Sequence, residues 1–326
     1  MSLKNSSDVY SDMEIIMQKA FIPVIAGPTA SGKTSLSIEL AKRFNGEIVS
    51  ADSMQIYKKM DIATAKPDIA EMQGIPHHLI GIIEPGDEFS VAQFKIKAIE
   101  AIEDILNRGK QPIVVGGTGL YIDTLINNTE FLDYEKSDIR SNLEARNEKE
   151  GTLSLLNELR YIDLVTAEKL HLNDTKRIIR ALEVYYSTGK TISKQCELSH
   201  LTESPYRWCI IGLNADDRQY LYDRINLRVD IMLENGLIDE AKEFFASDVS
   251  HTAVQAIGYK ELKPYLDGEK SLDAVIDKLK METRRYAKRQ LTWLRRYGGI
   301  NWLMIDQCSG TELVDRAAAL IEENRR

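Results

Sequence analysis

Residues 27–34 read Gly-Pro-Thr-Ala-Ser-Gly-Lys-Thr, an instance of G-x-x-x-x-G-K-[ST] that follows a short apolar run and opens an amphipathic stretch. Residues of these types at this spacing bind phosphate. The glycines let the chain wrap phosphate oxygens with backbone N–H groups, and the N-terminus of the following helix adds partial positive charge. Gly27, Pro28, Thr29, Ala30, Ser31 and Gly32 would form the cradle, Lys33 would set a point charge on it, and the Thr34 hydroxyl is placed to bind Mg2+. The loop leaves open which phosphate compound it holds. An ATPase of this loop class carries a second apolar strand ending in a Mg2+-binding aspartate. Here the apolar run Ile113-Val114-Val115 leads into Gly-Gly-Thr-Gly-Leu-Tyr at 116–121 with no acid. The acid closes a different run, Ile48-Val49-Ser50-Ala51-Asp52-Ser53, which puts Asp52 at the carboxyl edge of a sheet, where ligands bind in such folds. Three roles fit Asp52 there: base for a nucleophile, carboxylate beside a metal, or cap. Arg224 and Arg228, spaced i, i+4, share one helical face and are candidates for the terminal phosphate, or for a solvated salt-bridged face.

The elements that must position these groups show in the apolar pattern. Residues 21–26, 47–52, 78–83 and 112–115 read as strands. Helical patterns run from 33 to about 44 and from a Ser90 cap to Gly109, the second with Ala98, Ile102, Ile105 and Leu106 on one stripe. Strands alternating with helices mean βαβ units and a parallel sheet covered on both faces. From 131 to 206 the pattern is helical and charged, with Leu153, Leu155, Leu156 and Leu159 as an apolar face; strands return at 208–213 and 300–305. The expected fold is α/β: a P-loop NTPase-like parallel sheet flanked by helices, with a mostly helical insertion domain. The core would span 21–130 and 207–326 and the insertion 131–206, after a polar N-terminal extension at 1–20 expected to be disordered.

With 326 residues, 43% hydrophobic and 28% charged, the chain has enough apolar material for a sizeable core. It has no apolar stretch long enough to span a bilayer and no signal-peptide pattern, so a cytoplasmic protein is expected. Cys196, Cys209 and Cys308 lack C-x-x-C spacing and read as free thiols. A net charge of −8 argues against a nucleic-acid partner until its distribution is considered. Residues 278–296 carry Lys278, Lys280, Arg284, Arg285, Lys288, Arg289, Arg295 and Arg296 against the single acid Glu282, a local +7 that leaves the remainder at −15. One strongly basic helix on an acidic protein points to a polyanion. Tyr286 and Trp293 are interleaved there, as stackers or as core.

Several further segments together carry a resemblance. Besides the 27–34 and 116–121 motifs, they are Asp52-Ser53-Met54-Gln55-Ile56-Tyr57, Thr64-Ala65-Lys66-Pro67, Pro76-His77-His78-Leu79, Lys176-Arg177-Ile178-Ile179-Arg180-Ala181-Leu182-Glu183-Val184, Ala256-Ile257-Gly258-Tyr259-Lys260-Glu261 and Lys288-Arg289-Gln290-Leu291-Thr292-Trp293. In this order over residues 20–305 the chain resembles the bacterial tRNA dimethylallyltransferases (tRNA isopentenyltransferases). The family often has Arg or Gln where Met54 and Lys176 stand here, and a lysine at 176 lacks arginine's bidentate fork.

The resemblance implies transfer of a dimethylallyl group from dimethylallyl diphosphate to N6 of the adenosine 3′ of the anticodon, with Mg2+ as cofactor and release of diphosphate. It implies catalytic roles for Asp52, as base, and for Thr118, Lys33 and Arg228. Diphosphate would be held by residues 27–34 with Arg224 and Arg228. The anticodon stem-loop would meet Asp52, Ser53, Met54, Gln55, Thr118, Arg140, Lys176, Arg177, Ile178, Ile179, Arg180, Arg284, Arg285, Lys288 and Arg289. The target base would be flipped out to reach the sheet edge, and the protein would act as a monomer. His77 and His78 are expected to shape a loop.

Three alternatives separate by simple observations. An adenylate isopentenyltransferase would alkylate free AMP and needs neither the insertion nor two basic surfaces. A small-molecule kinase would need a pocket for the ATP base, and an RNA-binding NTPase switch would hydrolyse a nucleoside triphosphate with the acid missing after Val115.

Overall fold

The structure, a computed structural model, describes residues 19–131 and 138–325, with only the backbone described at 199–201. The N-terminal half holds β1 (Ala20–Ala26), α1 (Lys33–Arg43), β2 (Gly46–Ala51), α2 (Ile69–Met72), β3 (His77–His78), α3 (Val91–Asn107), β4 (Gln111–Gly116) and α4 (Gly119–Ile126). Five helices follow: α5 (Ile139–Glu150), α6 (Thr152–Ile162), α7 (Leu164–Ala167), α8 (Thr175–Thr188) and α9 (Ile192–Leu201). The chain then returns through β5 (Tyr206–Asn214), α10 (Arg218–Glu234), α11 (Leu237–Ala246), α12 (Tyr259–Leu266), α13 (Leu272–Leu294), β6 (Asn301–Met304) and α14 (Gly310–Arg325).

The described strands form one six-stranded sheet in the order β3-β2-β4-β1-β5-β6, and every pairing is parallel. A parallel sheet is buried on both faces, which is why these strands are near-continuous apolar runs without alternation. On one face α1 and α14 bring Leu36, Leu40 and Ile321 against Ile25, Ile113 and Ile211. On the other, α3 and α4 bring Phe94, Ala98, Ile102, Ile105 and Tyr121 against Ile22, Val24 and Val114. Ser90 caps α3 through a reciprocal capping box with Gln93, and Gly109 just beyond it takes a left-handed φ of 69°. The expected α/β, P-loop-like architecture is what the chain adopts.

The strand expected at 78–83 shrinks to His77–His78. Leu79 and Gly81 adopt left-handed φ values of 64° and 59°, which end the extended run despite its apolar residues. Of the extension expected at 1–20, residues 1–18 lie outside the described residues and Ala20 already pairs in β1. Helices α5, α6 and α8 share an apolar cluster of their own, including Leu143, Leu155, Leu159, Ile178 and Leu182. A further cluster joins Ile56, Tyr57 and Met60 to α10–α13. Among the described residues no helix is long and apolar enough to cross a membrane.

Candidate active site

The phosphate loop leaves β1 at Ala26 and curls back through two left-handed residues, Ala30 at φ 62° and Gly32 at φ 87°. Gly27 permits the curl: a Cβ there would lie 2.9 Å from Ser31 Oγ and 3.1 Å from Leu213. Helix α1 then starts at Lys33 with no side-chain cap and no acid in its first turn. Its leading N–H groups and partial positive charge are therefore left to an incoming anion. Ser31 is buried, and its hydroxyl has no partner among the described residues. An orphaned donor inside the loop is what a phosphate oxygen would satisfy.

Cations converge on the same place. Lys33 Nζ donates to Pro28 O at 2.7 Å, and Arg224 Nε donates to Ala30 O at 2.8 Å. Arg228, one turn further along α10, donates to Ala65 O at 3.4 Å. Burial pushes the Lys33 ammonium down to about 8; the Arg228 charge adds to the fall and Asp52 opposes it. Burial likewise lowers Arg228, partly offset by Asp52. The site is short of negative charge. The binding form of Lys33 is the protonated one, so affinity for an alkyl diphosphate should hold below about pH 8 and fall above it. Calorimetric titration should show a loss of about tenfold per pH unit above that point; a flat profile would separate Lys33 from binding.

The carboxylate side is built by the ends of β2 and β4. Asp52 Oδ1 accepts from Met54 N at 2.9 Å and Gln55 N at 3.3 Å, fixing the turn; among the described residues Oδ2 makes no hydrogen bond. Thr118 Oγ1 accepts from Ser53 N at 3.0 Å and donates to Ser53 Oγ at 3.3 Å, while Thr118 N donates to Ala51 O at 3.3 Å. Gly116 allows this approach, since a Cβ there would meet Ala51 O at 2.2 Å. Tyr286 is half-buried; burial first, and the Asp52 charge second, raise its phenol well above its ordinary range.

Helix α13 lies across both halves. Its inner face carries Tyr286, Gln290 and Trp293; its outer face exposes Arg285, Lys288 and Arg289. Gln290 bonds both the phosphate loop and the Gly117 carbonyl. Trp293 is packed on Gly119, so it is no free stacker.

The structure brings Lys33, Arg224, Arg228, Asp52, Ser53 and Thr118 together but sends other expected RNA contacts elsewhere. Ile178 and Ile179 are 0% and 4% exposed in the core of the helical unit, so their place beside Lys176, Arg177 and Arg180 reflects helix packing, not RNA contact. Arg284 turns inward: it donates to Asn226 Oδ1 at 2.6 Å and lies over the Tyr222 ring. Gln55 spends its amide on Thr64 O and Ala65 O, at 3.2 and 3.1 Å, and Met54 packs on the apolar cluster around Tyr57. Exposed Lys176, Arg177 and Arg180 do form a basic face on α8, where Arg140 and Arg180 share the Glu183 carboxylate.

Two supports escaped the sequence reading. Glu240 accepts from the N–H groups of Asp61, Ile62 and Ala63 at 2.7–2.9 Å, and from Tyr259 Oη at 2.8 Å, clamping the loop that reaches Arg228. Gln290 is the other; a buried polar residue four after Tyr286 on an amphipathic helix was its signal.

A parallel sheet with a glycine-lysine phosphate loop after β1, and a carboxylate at the end of β2 on the far side of β4, defines a P-loop-fold protein. The IPP transferase profile matches residues 55–297, more than half of the chain. A tRNA dimethylallyltransferase of Acetivibrio thermocellus is 51% identical over 294 residues, covering 89% of this chain and 94% of that protein. Among solved structures, the full-length tRNA isopentenylpyrophosphate transferase of Bacillus halodurans aligns with TM-score 0.70 and 44% identity over 94% of this chain and 98% of that one. A eukaryotic dimethylallyltransferase acting on tRNA aligns with TM-score 0.80 and 34% identity, over 92% and 78% of the two chains. The chain belongs to the IPP transferase family.

Proposed function

We propose that this protein is a tRNA dimethylallyltransferase, which moves the dimethylallyl group of dimethylallyl diphosphate onto N6 of the adenosine 3′ of the anticodon. The observation that carries the reading is the pairing of a phosphate loop, whose Ser31 hydroxyl has no partner among the described residues and on which Lys33 and Arg224 converge, with a carboxylate at the end of β2, one strand beyond β4.

In the reaction the C1–O bond of the allyl diphosphate breaks, the electron pair leaves with diphosphate, and N6 bonds to C1. Charge grows on the leaving oxygens, where Lys33, Arg228 and the amides at the start of α1 are already aimed. Asp52, with Oδ2 uncommitted, takes the proton that N6 sheds. Thr118 holds the Ser53 turn beside it. The Thr34 hydroxyl, one residue into α1, suits a hard cation that takes most of its ligands from phosphate and water. Mg2+ held there would neutralise leaving-group charge. Adenine must leave its stack to reach this edge. We assign residues 21–130 and 207–326 to the catalytic core and the helices of 131–206 to gripping the anticodon arm. We further infer a monomer working in the cytoplasm.

An anticodon stem-loop carrying guanosine in place of the target adenosine tests the acceptor atom: it should bind with similar affinity and gain no prenyl group. Alkylation of the guanosine would reject N6 as nucleophile. Because Lys288 and Arg289 are exposed on α13, replacing both with alanine should flatten the salt dependence of stem-loop binding by roughly one to two in log–log slope. An unchanged slope would turn that face away from RNA.

A further inference from the structure

Gln290 is 5% exposed on the inner face of α13. Its Oε1 accepts from Thr29 N at 2.9 Å, and its Nε2 donates to Gly117 O at 3.0 Å. These partners fix the direction of the amide, because an N–H needs an acceptor and a carbonyl needs a donor. Neither a carboxylate nor an apolar side chain of this length serves both ends. The surroundings leave no slack. A Cβ on Gly117 would lie 2.1 Å from Gln290 Nε2, and one on Gly119 would lie 2.2 Å from the Trp293 ring. From Gly117 the tie runs on through Thr118, whose N–H bonds Ala51 O and whose hydroxyl accepts from Ser53 N, next to Asp52.

We propose that Gln290 is a positioning residue that fixes the separation between the loop receiving diphosphate and the turn carrying Thr118 and Asp52. The proposal rests on the prenyl-transfer reading. Gln290 acts only through Thr29 and Gly117. In the displacement, nucleophile, allylic carbon and leaving group must align, and a misplacement of about 1 Å costs roughly 10²-fold in rate.

The test compares wild type, Gln290→Met and Gln290→Glu in single turnovers with saturating dimethylallyl diphosphate and anticodon stem-loop. Methionine keeps the length and removes both hydrogen bonds. Its rate should fall about 10²-fold while the Kd of each substrate stays close to wild type; the Gly117 carbonyl and Thr29 N–H left unpaired should lower the unliganded Tm. Glutamate keeps the acceptor and regains a donor only when protonated, which burial favours. The Gln290→Glu rate divided by the wild-type rate should therefore climb as pH falls, whereas the Gln290→Met ratio should stay flat. Wild-type rates in Gln290→Met would overturn the proposal. So would a defect confined to diphosphate affinity, or a pH-independent ratio for Gln290→Glu, which also decides the matter if Gln290→Met does not fold. A wild-type protein that transfers nothing would instead refute the functional reading.

Discussion

Asp52→Asn is expected to slow single-turnover prenyl transfer by at least about 10²-fold while leaving stem-loop affinity near the wild-type value. Asparagine has the same shape, and its Oδ1 can still accept from Met54 N and Gln55 N, so the turn should survive. It lacks a second carboxylate oxygen able to take a proton. A structural cap would lose little from this exchange, and a binding residue would lose affinity before rate. Rapid-quench turnover beside a stem-loop binding titration separates the cases. Unchanged turnover would remove Asp52 as the base, and a parallel loss of affinity would move it to RNA binding.

The second large effect is expected from Lys33→Met. Lys33 Nζ sits on the phosphate loop at Pro28 O, and burial together with the Arg228 charge already disfavours its charged form. Removing it withdraws charge from the position where leaving-group charge develops; kcat/KM for the allyl diphosphate should fall by about 10³-fold, or roughly 4 kcal/mol of transition-state stabilisation. The unliganded protein should be no less stable, because the substitution removes a charge that burial and the Arg228 charge disfavour. A scaffolding lysine predicts the reverse: a lowered Tm and a small change in kcat/KM once folded. Thermal unfolding measured with steady-state kinetics distinguishes them.

The parts of the site that could be read from sequence are those encoded within one turn of chain. The loop at 27–34 is a local pattern, Asp52 ends an apolar run, and Arg224 and Arg228 share a face by spacing alone. What escaped depends on elements distant in sequence. Gln290 meets Thr29 across 261 residues and Gly117 across 173, so its role exists only once α13 lies over the sheet edge. Glu240 likewise gains meaning from the 61–63 loop it captures. Motif membership misled where the motif has a packing side: Ile178 and Ile179 stand among basic residues, yet at helical spacing they turn into the apolar cluster with Leu155 and Leu159. Arg284 shows the same limit, since one residue, roughly a quarter turn of α13, separates a cation facing Asn226 from Arg285, which faces solvent.

The most direct test supplies the protein with Mg2+, dimethylallyl diphosphate and unmodified tRNA bearing adenosine 3′ of the anticodon, with free AMP in a parallel reaction, and weighs the nuclease-released nucleosides. The expected result is one isopentenyl unit gained by adenosine from tRNA and none by AMP. A gain on AMP alone, or no gain on either with ATP hydrolysed instead, would contradict it.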